Sequence, residues 1–332
     1  IVRLRVPGVS ERLAVEVAAT AEAMRRIGLY KPPGVAETID WAQALAALGK
    51  ADLDEETVGV TLGTVVKYRE DQQRVRDQGI GDLTTLSLLG EATARAGGSL
   101  VGINPLHALF AGDRERASPY HPSDRRFLDP IYVDVERVPD LADSHDARSL
   151  LANANANAGI ASLSSRAHVD YAGVWELKGA VLDACFAQFE RRSAVDPLVA
   201  EFDRFVAGGG LPLRQFAVFE AIAAAHPGEP WHRWPDGLRR PDASGVADFA
   251  GRHAHRVRRA LYLQWLADRQ LAAADSHARA SGLTWGFFRD LALGAAPDGA
   301  ESWSSPGGYA LGASIGAAPD GFSPTGQNWN LP

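Results

Sequence analysis

One cysteine and one methionine in 332 residues leave little room for sulfur chemistry. Cys185 has no internal disulfide partner, and its apolar setting in VLDACF reads as a buried structural thiol rather than a reactive one. No apolar run approaches the ~20 residues of a membrane span, and the opening Ile1-Val2-Arg3-Leu4-Arg5 lacks the hydrophobic region of a signal peptide. Together these absences predict a cytoplasmic protein with no membrane partner. Nor is there an excess of positive charge: a net charge of −7 argues against a nucleic-acid partner, since phosphate binding needs clustered positive charge. The pattern G-x-x-x-x-G-K-[ST] occurs nowhere, so the backbone cradle and lysine that hold phosphates are absent, and the loop Gly79-Ile80-Gly81-Asp82 has no full G-x-G-x-x-G spacing. ATP binding by this chain alone is therefore not expected. His253 and His255 resemble a ligand pair, but positions two apart do not share a helix face, and no metal site is expected there.

What is present is an ordinary apolar complement, 46% hydrophobic, in a chain long enough for two domains and a sizeable core. Residues 1–76 read as a small helical module. Ser10 is placed to cap a helix running through Ile27, Thr38 one through Leu48, and Asp54 one through Val75, with the breaker cluster Tyr30-Lys31-Pro32-Pro33-Gly34 between the first two. Leu13, Val17, Ala21 and Met24 recur at helical spacing, as do Val58, Leu62, Val65 and Val66, so each helix offers one apolar face.

From Gln78 onward the pattern changes. A Gly-rich loop, an amphipathic helix from about Leu83 to Ala96 and an apolar strand from Ser99 to Ile103 follow the βα rhythm of a parallel barrel. The strand breaks into Asn104-Pro105-Leu106-His107, and a polar loop then presents Ser118-Pro119-Tyr120 before a second apolar stretch at Pro130 to Val133. Hydroxyl, aromatic and imidazole groups on a loop after a buried strand suit ligand binding. Further on, DYAGVWELKGAVLDACFAQFERR (170–192) and LRQFAVFEAIAAAH (213–226) read as helices, PWHRWP (230–235) as a loop, Val246 to Ser281 as one long helix, and LTWGFFRDLALG (283–294) as a second strand ending near Asp290.

Two family resemblances lie on these segments. The first fifth of the chain, in RVPGVSERLA (5–14), LYKPPGVAETIDWAQAL (29–45) and LDEETVGVTLGTVVKYRED (53–71), resembles the C-terminal lid domain of MoxR-type AAA+ ATPases. That resemblance implies an AAA+ ATPase core as a partner for residues 1–72; Glu37 stands where the family often has a basic residue facing the phosphates. Residues 77–332 resemble the 4-α-glucanotransferases called amylomaltases, in GINPLHALFAGDRERASPYHPSDRRFLDPIYVDV (102–135), YLQWLADRQLAAA (262–274), LTWGFFRDLALG, PDGAESW, GYALGASIGAAPDGF and TGQNWNLP. No first barrel strand stands before Gly79, which places a junction between unrelated segments near residues 71–78.

The amylomaltase resemblance implies an α/β fold, here an incomplete (β/α)₈ TIM-type barrel with a helical insertion at about 110–210, preceded by a small all-α lid domain over residues 1–76. It implies an α-1,4-glucan or malto-oligosaccharide as the partner, no cofactor, and retaining transfer of glucan segments. Such transfer needs one carboxylate to form the glycosyl-enzyme and another ~5–5.5 Å away to give and take the proton. The family's nucleophile lies in an R-x-D-H segment, and that pattern is not found here, so no catalytic residue is assigned and activity is not expected of this chain by itself. Barrel strands lacking neighbours would expose edges and apolar faces, which predicts poor solubility for residues 77–332 alone.

The resemblance implies a substrate-binding set of Ser118, Tyr120, Asp290, Asp320, Gln327 and Trp329. Tyr120 would offer a flat face to a sugar ring and Asp290 would accept from sugar hydroxyls, while Asp320, Gln327 and Trp329 would reach over the glucan. Structural readings stand beside each of these. Asp290 and Asp320 also suit turn capping, Tyr120 and Trp329 suit packing, His107 suits a loop-supporting hydrogen bond, and Asp268 with Arg269 suits helix anchoring. Two other readings remain for the chain as a whole: an interaction module in which the lid docks on an ATPase core, and an accidental joining of two segments with no joint function.

Overall fold

Of the apolar residues set at helical spacing, Leu13, Val17, Ala21 and Met24 are buried, and Val58, Leu62, Val65 and Val66 lie outside the described residues. In the computed structural model, which describes residues 2–6, 9–26, 35–47, 50, 53, 80–156, 159–164, 166, 168–319 and 324–332, the described chain divides into two compact units. One comprises Ile1–Gly81 with Ala152–Val174, the other Asp82–Leu151 with Trp175–Pro332.

In the first unit a short turn of helix, α1 (Val2–Arg5), precedes α2 (Glu11–Arg26) and α3 (Val35–Ala47). Leu13, Val17 and Met24 of α2 meet Trp41, Ala42 and Leu45 of α3 in one core, and Ala21 is fully buried on the same face. Each fully buried large side chain of this kind contributes about 1.5–3 kcal/mol. Ser10 caps α2 as its position suggests, its Oγ accepting from the Leu13 amide at 3.0 Å. Thr38 does not cap α3. The helix begins three residues earlier, at Val35, and Thr38 is buried inside it at 5% exposure. The break is already made by Pro33-Gly34 in the sequence, so the helix starts directly after it. The helix expected from Asp54 to Val75, the Tyr30–Gly34 turn and the junction at 71–78 lie outside the described residues.

In the second unit Asp82 caps α4 (Leu83–Arg95) by accepting from the Thr85 amide. The strand β1 (Leu100–Ile103) follows, then β2 (His107–Ala108) paired antiparallel with β3 (Asp124–Leu128). The apolar run at Pro130 forms a single 3₁₀ turn, Pro130–Tyr132. The helix α5 (His145–Ala156) begins in this unit and ends in the first, the short α6 (Gly159–Ser164) belongs to the first, and α7 (Tyr171–Phe189) returns to the second from Trp175 onward. From α7, Lys178, Val181, Leu182, Cys185, Phe186 and Phe189 are all buried, a spacing of three and four that marks one helix face. Burial pushes the Cys185 thiol up to about 12, as expected of an inert structural cysteine. The Lys178 ammonium donates to the carbonyls of Ile131 and Val133 at 2.9 and 3.1 Å, which holds the chain between β3 and α5 against α7.

One helix expectation holds and one changes. The segment read as a helix over 213–226 is a helix of its own: the helical run α8 (Pro197–Ala223) is two helices parted by a kink at Gly210, a residue with φ of 55° that the sequence Gly208-Gly209-Gly210-Leu211-Pro212 makes accessible. The long helix expected from Val246 to Ser281 is two, α9 (Ser244–Arg252) and α10 (Ala254–Ala280), parted at His253, whose ring stacks on Phe249 at 4.1 Å. Gly251 lowers helix propensity beside that break. The loop 230–235 holds one 3₁₀ turn, Trp231–Arg233.

Helix α10 is the hub. Ala260 through Ala267 are buried on every side, with Tyr262 and Trp265 set among Phe186, Phe189 and Phe202 at ring separations of 4.9–5.9 Å. A second cluster joins Phe216, Phe219, Trp231, Trp234, Phe249 and Trp303, the last from the short α11 (Ala300–Ser304). Helix α4 lies close on α10 because residue 90 is glycine: a Cβ there would come within 2.6 Å of Ala278 and 2.9 Å of Phe287. This packing seats β1 beside β4 (Gly286–Arg289), and the two pair in parallel from Leu100↔Gly286 to Ile103↔Arg289. The hairpin β5 (Ile315–Ala317) and β6 (Gln327–Leu331) completes the unit. Among the described residues β1 and β4 pair only with each other, and Leu100, Trp285, Phe288, Leu291 and Leu293 are exposed.

Candidate substrate-binding site

Parallel pairing brings the C-terminal ends of β1 and β4 to one edge, where the Asp290 amide donates to the Ile103 carbonyl at 3.0 Å. The loop after β1 and the loop after β4 therefore leave the sheet side by side. Parallel α/β sheets place ligands at this edge, because the loops there are free to carry polar side chains while the strands hold them rigid.

The two loops are tied together. Ala296 donates to the Pro122 carbonyl at 2.8 Å, Glu301 to the Ser123 carbonyl at 3.0 Å, and Ala300 to Ser123 Oγ at 3.0 Å. Arg116 takes both oxygens of Asp298 at 2.8 and 2.9 Å. Arg125 grips Glu301 through Nε and Nη2, and the Tyr309 hydroxyl donates to the same carboxylate at 2.5 Å. Burial pushes the Glu301 carboxyl up, but the hydrogen bonds from Arg125 and Tyr309 outweigh it and hold the group below its ordinary range.

On this frame the Tyr120 hydroxyl donates to Asp290 Oδ2 at 3.0 Å, and Asp290 Oδ1 accepts the Leu291 amide at 2.8 Å. Asp290 thus both caps its own turn and faces Tyr120, so the two readings of this residue coexist. Tyr120 is 44% exposed, with its ring open to a ligand. Ser118 is exposed in the same turn, its carbonyl accepting the His121 amide. From the other side, Trp329 on β6 gives its backbone carbonyl to His121 Nε2 at 2.6 Å, and its indole Nε1–H donates to Gln327 Oε1 at 2.9 Å. Ser118, Tyr120, Asp290, Gln327 and Trp329 are in this way linked through two loops and one hairpin, while Asp320 lies outside the described residues.

His121 is the residue that sequence reading passed over; only its place beside Tyr120 signalled it. His107 supports its loop, Nε2 accepting from the Ala292 amide at 3.2 Å. Burial, and Arg125 after it, lower its pKa, which suits a neutral ring acting as acceptor. His253 and His255 face different neighbours, Phe249 for the first and Glu190 at 3.2 Å for the second. Arg269 anchors α10 to Glu201 at 3.0 Å. Chemically, the cluster offers one carboxylate, one phenol, an indole and an amide. That set suits a neutral polyhydroxyl ligand, with Asp290 accepting from hydroxyls and the rings covering apolar sugar faces.

Residues 73–332 match the Glyco_hydro_77 family, described as 4-alpha-glucanotransferase. The 4-alpha-glucanotransferase of Mycobacterium tuberculosis is 39% identical over 262 residues, covering 76% of this chain and 35% of that protein. That of Haemophilus influenzae is 33% identical over 264 residues, covering 76% and 38%. The chain thus spans little more than a third of the length of these relatives. Among solved structures, the amylomaltase from Corynebacterium glutamicum superposes with a TM-score of 0.58 at 30% identity, covering 77% of this chain and 34% of that one. The amylomaltase from Streptococcus agalactiae in complex with acarbose shares the fold at a TM-score of 0.61 and 19% identity, covering 77% and 50%. With the family match extending over 260 of its 332 residues (73 to 332 inclusive), this chain belongs to the 4-alpha-glucanotransferase family Glyco_hydro_77.

Proposed function

We propose that residues 77–332 bind an α-1,4-glucan or malto-oligosaccharide as part of a 4-α-glucanotransferase whose complete form is a (β/α)₈ barrel, with 110–210 as an insertion. The observation that carries this reading is the Tyr120–Asp290 pair at the shared C-terminal edge of β1 and β4, to which the hairpin residues Trp329 and Gln327 are joined through His121. Ser118 and Asp320 belong to the same proposed set.

The transfer itself would proceed with retention. A glucan glycosidic bond breaks as a carboxylate attacks the anomeric carbon and a second carboxyl group protonates the leaving oxygen; the 4-hydroxyl of another glucan then attacks the same carbon, giving its proton to the second carboxylate as the bond to the first breaks. These roles need two carboxylates about 5–5.5 Å apart. The cluster supplies one, because Asp298 and Glu301 are committed to Arg116 and Arg125. Asp290 is accordingly assigned to substrate binding, and no residue described here is assigned catalysis. Carboxylate chemistry of this kind calls for no cofactor, and a cytoplasmic location is part of the same proposal. No helix among the described residues is long and apolar enough to cross a membrane.

Calorimetric titration of maltohexaose into the full chain tests the reading. Tyr120→Ala and Asp290→Ala are each expected to weaken binding about tenfold, the loss of one stacked ring or one charged hydrogen bond. Equal affinity for both variants and the unaltered chain would remove the basis of the assignment.

For residues 1–72 the second reading is a MoxR-like lid that docks on an AAA+ ATPase core in trans. It is supported by the packed core of α2 and α3 around Trp41. Co-purification of such a core, lost on deleting residues 1–72, would support it; no partner at all would favour two segments without a joint function.

A further inference from the structure

The hairpin β5–β6 has little apolar burial to fix it in place. Ile315 and Gly316 of β5 are exposed, as are Gln327, Asn328, Trp329 and Asn330 of β6. Leu331 alone among the strand residues of the hairpin is buried, beside Gly294, where a Cβ would come within 3.3 Å of its side chain. Where burial is slight, specific hydrogen bonds decide where a segment sits.

One such bond reaches Trp329. His121 Nε2 lies 2.6 Å from the Trp329 carbonyl oxygen. A carbonyl only accepts, so this nitrogen carries the proton and donates. The hairpin is shaped to offer that oxygen. Ile315 is paired with Leu331 and Gly316 with Asn328, which leaves Trp329 and Asn330 without a partner on β5, as a bulge. Asn330 has φ of 54° and is the one non-glycine residue at positive φ among the described residues, a conformation that asparagine enters more readily than most. The Asn330 amide donates to Asn328 Oδ1 at 2.9 Å, and the Ser314 hydroxyl donates to the same oxygen, so the bulge is pinned from within the hairpin.

The donor end is fixed as well. The His121 amide donates to the Ser118 carbonyl at 3.1 Å, and the carbonyl of the next residue, Pro122, accepts the Ala296 amide at 2.8 Å. His121 directly follows Tyr120, whose hydroxyl meets Asp290. The imidazole therefore joins a braced loop that carries Tyr120 to an exposed hairpin that carries Trp329.

We propose that His121 is a positioning residue for glucan binding: it fixes Trp329 relative to Tyr120 in the free protein, so that the indole contributes to affinity without the cost of being ordered on binding. This role rests on the glucan reading above, in which Tyr120 and Trp329 both serve the sugar.

Two measurements on the full chain test it. Hydrogen exchange without ligand reads the anchoring: His121→Ala is expected to speed exchange at the amides of β5 and β6 several-fold and to leave β1 and β4 unchanged. Calorimetric titration of maltohexaose reads the consequence, with binding by His121→Ala about fivefold weaker, the worth of one ordinary hydrogen bond. His121→Gln keeps a side-chain N–H donor and is expected to restore slow exchange and to bind within about twofold of the unaltered chain. Trp329→Ala should weaken binding in the unaltered chain and add little in the His121→Ala background, because the two act as one unit. Unchanged exchange in His121→Ala, unchanged affinity despite faster exchange, a glutamine variant no better than alanine, or a Trp329→Ala loss equally large in both backgrounds would each overturn the role of His121 and leave the Tyr120–Asp290 reading standing. No binding of maltohexaose by the unaltered chain would overturn both.

Discussion

Asp140→Ala is expected to lower the unfolding free energy by about 3 kcal/mol, a large share of the 5–15 kcal/mol typical of a whole domain. Asp140 is fully buried and accepts two bonds, from Arg192 Nε at 2.6 Å and from the Tyr262 hydroxyl at 2.7 Å. Tyr262 is itself fully buried on α10, in the middle of the aromatic cluster. Burial, reinforced by Asp140, pushes its phenol well above the ordinary range, so the hydroxyl remains a donor that must have an acceptor. Alanine removes that acceptor and leaves a cavity. Arg192 is less exposed to the loss because it keeps Asp196 at 2.9 Å and Asp143 at 3.4 Å. That is why the expectation sits at the low end of the 3–5 kcal/mol seen when one partner of a buried pair is deleted. Asp140→Asn retains an acceptor for Tyr262 and should cost about 1 kcal/mol. Urea unfolding followed by tryptophan fluorescence measures both variants, and an alanine variant within 0.5 kcal/mol of the parent, on the order of the additivity error, would show that the pair carries no net stability.

Glu220→Gln should have the opposite sign. The carboxyl is raised to about 7 in the folded chain by burial, against about 4.3 for an unfolded glutamate. A raised carboxylate pKa means that the folded state resists ionisation. The cost is absent below the unfolded value, grows as pH rises from there, and is complete above the folded value. At pH 8 the neutral glutamine variant is therefore expected to be more stable than the parent by about 2–3 kcal/mol, and the difference should shrink toward zero as pH falls to 5. Paired urea titrations at pH 5 and pH 8 measure it. A variant no more stable at pH 8 than at pH 5, relative to the parent, would mean that Glu220 finds an acceptable partner when ionised.

Local pattern carried much of the fold. The helical spacing of Leu13, Val17, Ala21 and Met24 marked a face that is buried, and the segment 170–192 read as a helix forms one, with Val181, Cys185 and Phe189 buried. The apolar run before Asn104 and the LTWGFFRD segment marked two strands, found at Leu100–Ile103 and Gly286–Arg289. Where the pattern misled, a local competitor was at work. His253 parts a helix whose periodicity continues across it, because its ring packs on Phe249. Strand β3, with the sequence DRRFL, has no apolar alternation to announce it. Its charges are consumed by Asp124–Arg126 and Arg125–Glu301 pairs instead of facing water.

The candidate site divides in the same way. Tyr120, Asp290 and Trp329 were singled out from family wording on separate segments, and Arg114 drew no notice among the charged residues of its loop. The amino-acid order by itself determined the helix faces, the two parallel strands and the family to which residues 73–332 belong, because these depend on neighbours a few positions apart or on contiguous motifs. Only the tertiary structure decided that Tyr120 meets Asp290 across 170 positions, that His121 holds Trp329 across 208, and that the guanidinium of Arg114 is left with one edge unpaired. Hydrogen bonds of such separation leave no periodic trace in a chain; they exist because α4 and α10 pack closely at Gly90 and set β1 beside β4, which brings distant loops to one edge.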